Sequence, residues 1–348
     1  MWKKISQILT IVIFLTIFGL VFGEQYWSFH GQNNIQKEYL EKVSHDGSTF
    51  SWTKLVSFWE NIEFLYTPNL DLLDALVKEI DTAQDKVYVE VYIFTESRLR
   101  DALIWAHKRW VDVKILLENN PYKAPYLNDK HYSAFKNEWI DVRWSDPLNY
   151  SLNHAKLLMI DEKTYISTGN FSYSLFKYNR DFLVQITEDV FSKKIEELFL
   201  QDYTHKKIWV LHPNLVLSPD YSRSKIQSLV EWARESIDFY FPYMADDDFQ
   251  EVLFMSAQKW VQIRGIVEKD FYNENTDVIN NFKDYNIDLT ALQKPKLHAK
   301  AVLADKKYLY IWSINFSRYS FDENREIGII LDDKNVISEF QKVFESDL

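Results

Sequence analysis

The chain has 348 residues, 47% of them apolar and 16% aromatic, which gives room for two domains with substantial cores and excludes a disordered polymer. A formal charge of −11 argues against a high-affinity binder of long nucleic acid, because neutralising phosphates takes a dense Lys/Arg surface. With no cysteine, disulfides, thiolate metal sites and a lipid-modified cysteine anchor are all excluded.

The N-terminus reads MWKKISQILTIVIFLTIFGLVFGEQYW, with Lys3 and Lys4 ahead of an apolar run from Ile8 to Gly23. The run is long for a signal-peptide core and slightly short for a spanning helix, so residues 1–23 are read as a cleaved signal peptide or an uncleaved membrane anchor. Either one places the body outside the cytoplasm, secreted or membrane-anchored.

A first domain is expected over 24–203. In it LLDALVKEIDTAQ, with apolar residues three and four apart, predicts a helix, and KVYVEVYIF, rich in β-branched and aromatic residues, predicts a strand. LRDALIWAHKRWVDVKILLE then predicts a helix running into a second strand. Residues 204–224, with Pro213 and Pro219, read as a linker. The same order returns over 225–348, as SKIQSLVEWARES, SIDFYFPYM and FQEVLFMSAQKWVQIRGIVE. Alternating helix and strand predicts an α/β fold in which each copy is a mixed or parallel sheet flanked by helices. Phe239, Tyr240, Phe241 and Tyr243 are assigned to sheet core. The acids of ADDDF, residues 245–249, read as a helix N-terminus and not as a metal site. His30, His107 and His212, which have no partner pattern, read as surface residues.

The chemistry lies in a repeated stretch. NHAKLLMIDEKTYISTGNFS (153–172) and LHAKAVLADKKYLYIWSINFS (297–317) share His-x-Lys, four residues, Asp, a short strand, then a hydroxyl-x-Asn turn. His154, Lys156 and Asp161 map onto His298, Lys300 and Asp305 at an offset of 144. Thr168, Asn170 and Asp181 map onto Ser313, Asn315 and Glu326 at 145. On a strand, residues two apart share a face, so each His and Lys are expected to project together. One copy then supplies an imidazole, a fixed positive charge and amide or hydroxyl donors, which is a half-site for phosphate. Two copies facing each other place two imidazoles across one phosphorus, one to attack and one to protonate the departing oxygen.

These paired motifs resemble those of the phospholipase D superfamily. The resemblance implies two tandem phospholipase D-like domains with the active site at their interface. It implies His154 as the nucleophile that forms a phosphohistidine and His298 as the general acid. Lys156, Lys300, Asn170, Asn315, Thr168 and Ser313 would hold the phosphate, while Asp181 in NRDF and Glu326 in NREI would fix a histidine tautomer. Asp161 and Asp305 complete the two motifs and are read as structural, satisfying backbone donors at the strand turn. The expected activity is a metal- and cofactor-independent phosphodiesterase or phosphatidyltransferase acting on phospholipids at a membrane surface, as a monomer whose two copies pair. An exported nuclease and a non-catalytic lipid- or phosphate-binding scaffold are the alternatives.

One compositional feature stands apart. The chain has 7 Gly and 12 Trp, where average usage gives about 24 glycines. Trp110, Trp139 and Trp260 each stand between a helix end and an incoming strand, where a left-handed backbone costs non-glycine residues roughly 1–2 kcal/mol. Trp312 fills the glycine position of the superfamily's Gly-Ser-x-Asn turn. Two readings are open, aromatic plugs or a gene in which UGA means glycine, and four coincident cases favour the second. Trp144 reads as a genuine tryptophan.

Overall fold

A computed structural model describes residues 61–206, 210 and 212–348, all within a compact unit from Lys54 to Leu348. The N-terminal run and His30 lie outside the described residues. No helix among the described residues is long and apolar enough to cross a membrane.

The first copy contributes β1 (Asn61–Tyr66), β2 (Lys86–Val91), β3 (Asp112–Leu117), β4 (Asp141–Trp144), β5 (Lys156–Ile160), β6 (Lys163–Ser167), the two-residue β7 (Asn179–Arg180) and β8 (Phe182–Thr187). The second contributes β9 (Leu215–Ser218), β10 (Ser236–Phe241), β11 (Met244–Ala245), β12 (Gln262–Glu268), β13 (Asp288–Leu292), β14 (Lys296–Leu297), β15 (Ala301–Ala304), β16 (Tyr308–Trp312), β17 (Phe316–Ser317) and β18 (Glu326–Leu331). The first sheet runs β1-β8-β6-β5-β2-β3-β4, and the second, in the same sense, β9-β18-β16-β15-β10-β12-β13. Strand for strand the orders coincide, so the duplication seen in the motifs extends to the whole topology. β9 falls inside the expected linker 204–224: LVLS is apolar throughout and pairs antiparallel with β18, because that edge of the sheet needs a partner just as β8 needs β1.

The two copies share one central core. Tyr88, Leu157, Phe182 and Val184 of the first sheet meet Tyr240, Ile311, Ile327 and Ile329 of the second, along with apolar faces of the helices Asp189–Tyr203 and Lys334–Asp347. Alternate residues of the first sheet, Val87, Val89, Val91, Leu158 and Ile160, face outward under the helices Leu70–Thr82 and Ser97–Lys108. Strands buried on both faces account for the near-continuous apolar runs in the sequence. Phe239, Tyr240 and Phe241 lie in the core as expected, but Tyr243 does not: it follows Pro242, past the end of β10, and stays 38% exposed.

Helices ending at Lys108, Asn137, Tyr203, Gln258 and Asp284 close in one way. The amide of the second residue past the cap reaches back to the last turn: Val111 to Ala106, Ile140 to Phe135, Lys206 to Gln201, Val261 to Ser256 and Ile287 to Phe282. This closure puts the residue before each of those amides in the left-handed region. The five residues are Trp110 (φ 71°), Trp139 (φ 64°), His205 (φ 56°), Trp260 (φ 69°) and Asn286 (φ 56°).

Candidate active site

The site is assembled by pairings that cross from one copy to the other. β14 runs parallel to β7, with Leu297 opposite Arg180. At the equivalent place Asn153 bridges to Arg325. The amides of His298 and Ala299 donate to the Arg180 carbonyl at 3.0 and 2.8 Å, and the His154 amide donates to the Arg325 carbonyl at 2.8 Å. Each histidine therefore lies beside the segment of the other copy that carries the acidic residue. The consequence is crossed: His154 Nδ1 meets Glu326 Oε2 at 2.8 Å, and His298 Nδ1 meets Asp181 Oδ1 at 2.8 Å. Because the cross-copy bonds occupy this backbone, His154 precedes β5, and both His298 and Lys300 precede β15 instead of lying within it.

The two dyads differ. The His154 side chain is 7% exposed and that of His298 28%, while both acids are fully buried. Burial depresses the His154 pKa well below the usual imidazole range, and the charges of Lys156, Lys300 and His298 push it further down. Its partner Glu326 is raised by burial to about 8. In the second dyad, burial pushes Asp181 up, but His298, Lys300 and the Thr168 hydroxyl outweigh it and hold the carboxyl below its ordinary value. Burial lowers His298 too, with the Asp181 charge working against it. With Nδ1 of each ring committed to an acidic side chain, Nε2 is the nitrogen available to a ligand, that of His298 beside Lys300 Nζ at 3.2 Å.

Both lysines are buried at the same place. Lys156 donates to the His154 carbonyl and lies 5.4 Å from the Tyr92 ring, which itself packs edge-on against His154. Burial pushes Lys156 well below the lysine range and brings Lys300 down to about 8. Lys300 Nζ stands 3.2 Å from the His298 ring nitrogens and donates to the Thr168 carbonyl at 3.3 Å, which brings the 168–170 turn of the first copy to the second copy's lysine. In that turn the Asn170 carboxamide oxygen is buried without a partner in the protein, and Asn315 is half-buried in the matching turn. Gly169 is needed here, since a Cβ would lie 2.6 Å from the Asp181 carboxyl.

Several of the expected site residues are bonded within the protein. The Thr168 hydroxyl, expected on phosphate, donates to Asp181 at 2.7 Å and accepts the Phe182 amide. The Ser313 hydroxyl is likewise spent on the backbone of Ile327. Both are fully buried; Thr168 braces Asp181, and Ser313 braces the backbone beside Glu326. Asp161 gathers the amides of Gln84, Asp85 and Lys86, and Asp305 those of Arg234, Glu235 and Ser236. That is the structural role expected of them, and it lies a strand's length from the histidines. His212 is buried, with its ring edge-on to Phe191 and Nδ1 accepting the Asn214 amide, so it is not a surface residue. Asp246 caps the helix Asp247–Gln258, and among the described residues no three His, Asp or Glu side chains form a metal-binding cluster.

The repeat offset also marks residues that motif reading passes over. Arg180 and Arg325 precede the two acids, and Asp202 and Asp347 hold them: Arg325 forks onto Asp202 at 2.6 and 3.0 Å, Arg180 onto Asp347 at 2.7 and 2.8 Å. Asn153 is fixed between Glu90 and Glu118 at 2.8 and 2.7 Å.

Compared with known proteins, the sequence matches the family described as "Cardiolipin synthase, PLD-like domain" twice, over residues 76–203 and 226–348. It is 22% identical to cardiolipin synthase A of Buchnera aphidicola over 76% of this chain and 64% of that protein, so it spans just under two thirds of that relative's length. It is 28% identical to a phospholipase D of Rickettsia prowazekii over 42% of this chain and 68% of that one. Among solved structures, the fold is shared with phosphatidylserine synthase of Haemophilus influenzae (TM-score 0.68, 12% identity, 83% of this chain and 86% of that one). It is shared also with polyphosphate kinase of Porphyromonas gingivalis (TM-score 0.65, 16% identity, 82% of this chain and 50% of that one).

Proposed function

Because the chain belongs to the family of cardiolipin synthase, PLD-like domains, matched in both copies, we propose that it transfers or hydrolyses the phosphatidyl group of phospholipids through a phosphohistidine. The observation that carries the reading is the pair of crossed His–acid dyads on one cluster with two buried lysines.

His154 Nε2 attacks phosphorus as the phosphorus–oxygen bond to the leaving alcohol breaks, and His298 Nε2 gives its proton to that oxygen. A second alcohol or water then attacks the phosphohistidine, His298 takes the proton back, and His154 is released. Assigning attack to His154 is supported by its deeper burial and strongly depressed pKa, which keep the imidazole neutral and nucleophilic. Assigning acid work to His298 is supported by its ionised partner Asp181, whose charge works against the lowering of its pKa by burial, and a bound phosphodiester anion acts in the same direction as Asp181. Lys156, Lys300 and the asparagine turns stabilise charge on the non-bridging oxygens. Residues 1–23, as an uncleaved anchor, would hold the site at a membrane surface.

Incubation of the protein with mixed phospholipid vesicles and, separately, with DNA tests the substrate class. Released head groups or newly formed diphosphatidyl lipid are expected; products from DNA alone would transfer the same chemistry to a nuclease. Turnover is expected to persist in excess EDTA, because the two imidazoles perform the nucleophilic and acid roles that a metal-bound hydroxide would otherwise fill. Loss of turnover on chelation, restored by a divalent ion, ends this mechanism.

A further inference from the structure

We propose that glycine, decoded from UGA, occupies positions 110, 139, 260 and 312 in the protein as its own cells make it. The aromatic-plug reading fails on exposure: Trp110, Trp139 and Trp260 are 95%, 89% and 91% exposed, so their rings fill nothing. All three stand at the left-handed residue of the same helix closure, the position that glycine takes most readily and asparagine next. Asn286 occupies it at the end of Thr276–Asp284. Trp312 fails differently. Its ring centroid lies 3.3 Å from that of Tyr310, closer than the roughly 4.5–7 Å that aromatic pairs adopt, and its Cβ faces Gly328 so closely that a Cβ there would stand at 2.5 Å. The equivalent residue in the first copy is Ser167, small enough for its hydroxyl to bond within the turn. Trp144, by contrast, lies within β4 with no left-handed backbone, half-buried against the core with its ring nearly parallel to that of Tyr132.

The coding DNA and the native protein test this together. UGA is expected at the four codons and UGG at 144, with glycine-containing peptides in the mass spectrum of protein from the source cells. UGG at the four, or tryptophan in those peptides, overturns the proposal. Trp110→Gly, Trp139→Gly and Trp260→Gly should each raise Tm by about 2 °C, and a fall at all three sites contradicts the strain on which the argument stands.

A different observation carries a second inference, which rests on the histidine roles above. We infer that Asp202 and Asp347 are positioning residues that act through the buried arginines. Arg180 presents Asp181 from its own peptide and accepts the His298 and Ala299 amides on its carbonyl, so its place fixes both members of that dyad. Its guanidinium is forked by Asp347, with Thr67 O taking a further donor. Arg325 does the same for His154 and Glu326, held by Asp202 and Asp220. Asp202 and Asp347 lie at the 145 offset near the ends of the helices Asp189–Tyr203 and Lys334–Asp347, so the final helix of each copy grips the other copy's acid segment.

Removing one charge strands a buried partner and risks unfolding, so both are replaced. Arg180→Met with Asp347→Leu, in a chain whose residues at 110, 139, 260 and 312 follow the gene, should keep its Tm within a few degrees. Its kcat on phospholipid should fall about 10²-fold at nearly constant KM, as misplacement of a reacting group does. On a phosphodiester with a nitrophenol leaving group, which needs no proton, the loss should be far smaller. Arg325→Met with Asp202→Leu, which touches the nucleophile, should slow both substrates alike. Parent turnover in both double variants overturns the inference, as does equal loss on both substrates in the first. Inactivity of the unsubstituted chain on both substrates sinks the histidine roles and this inference with them.

Discussion

Replacement of His154 by alanine is expected to remove turnover by a factor on the order of 10⁴ to 10⁶ and to abolish any covalent intermediate, whatever the leaving group. The effect is large because nothing else can substitute: among the groups around His154, Lys156 is bonded to a carbonyl and Glu326 is fully buried behind the ring. His298→Ala is expected to behave differently. Without its proton, departure of an alkoxide slows by about 10²- to 10⁴-fold, yet a substrate with a good leaving group still labels His154, and the label accumulates because the same residue must activate the second alcohol. Acid-labile phosphate found on His298 and not on His154 after rapid quenching reverses the two roles.

The crossing of the dyads is the second large effect. Asp181→Asn is expected to cost about 10²- to 10⁴-fold in kcat, in the range seen when the carboxylate behind a catalytic imidazole is neutralised. Its signature is directional. The Asp181 charge raises the His298 pKa, so its loss lowers that pKa further; His298 must be protonated to act, so the alkaline limb of the kcat profile moves to lower pH. Histidine NMR titrations separate the wiring: Asp181→Asn should move His298 and leave His154 nearly in place, while Glu326→Gln should move His154. A response of His154 to Asp181, its nearer neighbour in sequence, contradicts the crossed arrangement.

Much of the site could be read in the sequence because duplication marks the chemistry twice. Side chains that recur at offsets of 144 and 145 include both histidines, both lysines and both acids, and the fold class followed from the alternation of helix and strand. Which copy an acid serves could not be read. Glu326 lies 172 residues from His154, and local periodicity says which face a side chain occupies without saying what is folded against it. Nor could the partners of Thr168 and Ser313 be read: a hydroxyl beside an acid can bond the acid or the backbone next to it, and here Thr168 donates to Asp181 while Ser313 pairs with the backbone of Ile327. His212 looked like a surface residue because a lone imidazole carries no pattern, yet packing on Phe191 buries it. Arg180, Arg325, Asp202 and Asp347 were visible in the same register and carried no signal except the offset itself.

The crossed dyads also bear on how such a site can change by mutation. If two identical chains built it about a rotation axis, one gene would specify both imidazoles and any substitution would alter them together. In a single continuous chain each arm is inherited separately, so Asp181 can be a carbon shorter than Glu326, Gly169 can stand opposite Ile314, and one ring can sink to 7% exposure while the other stays at 28%. Attack and protonation make opposite demands on an imidazole. Tandem fusion relaxes an exact twofold into an approximate one, and each half of the site becomes free to drift toward its own task.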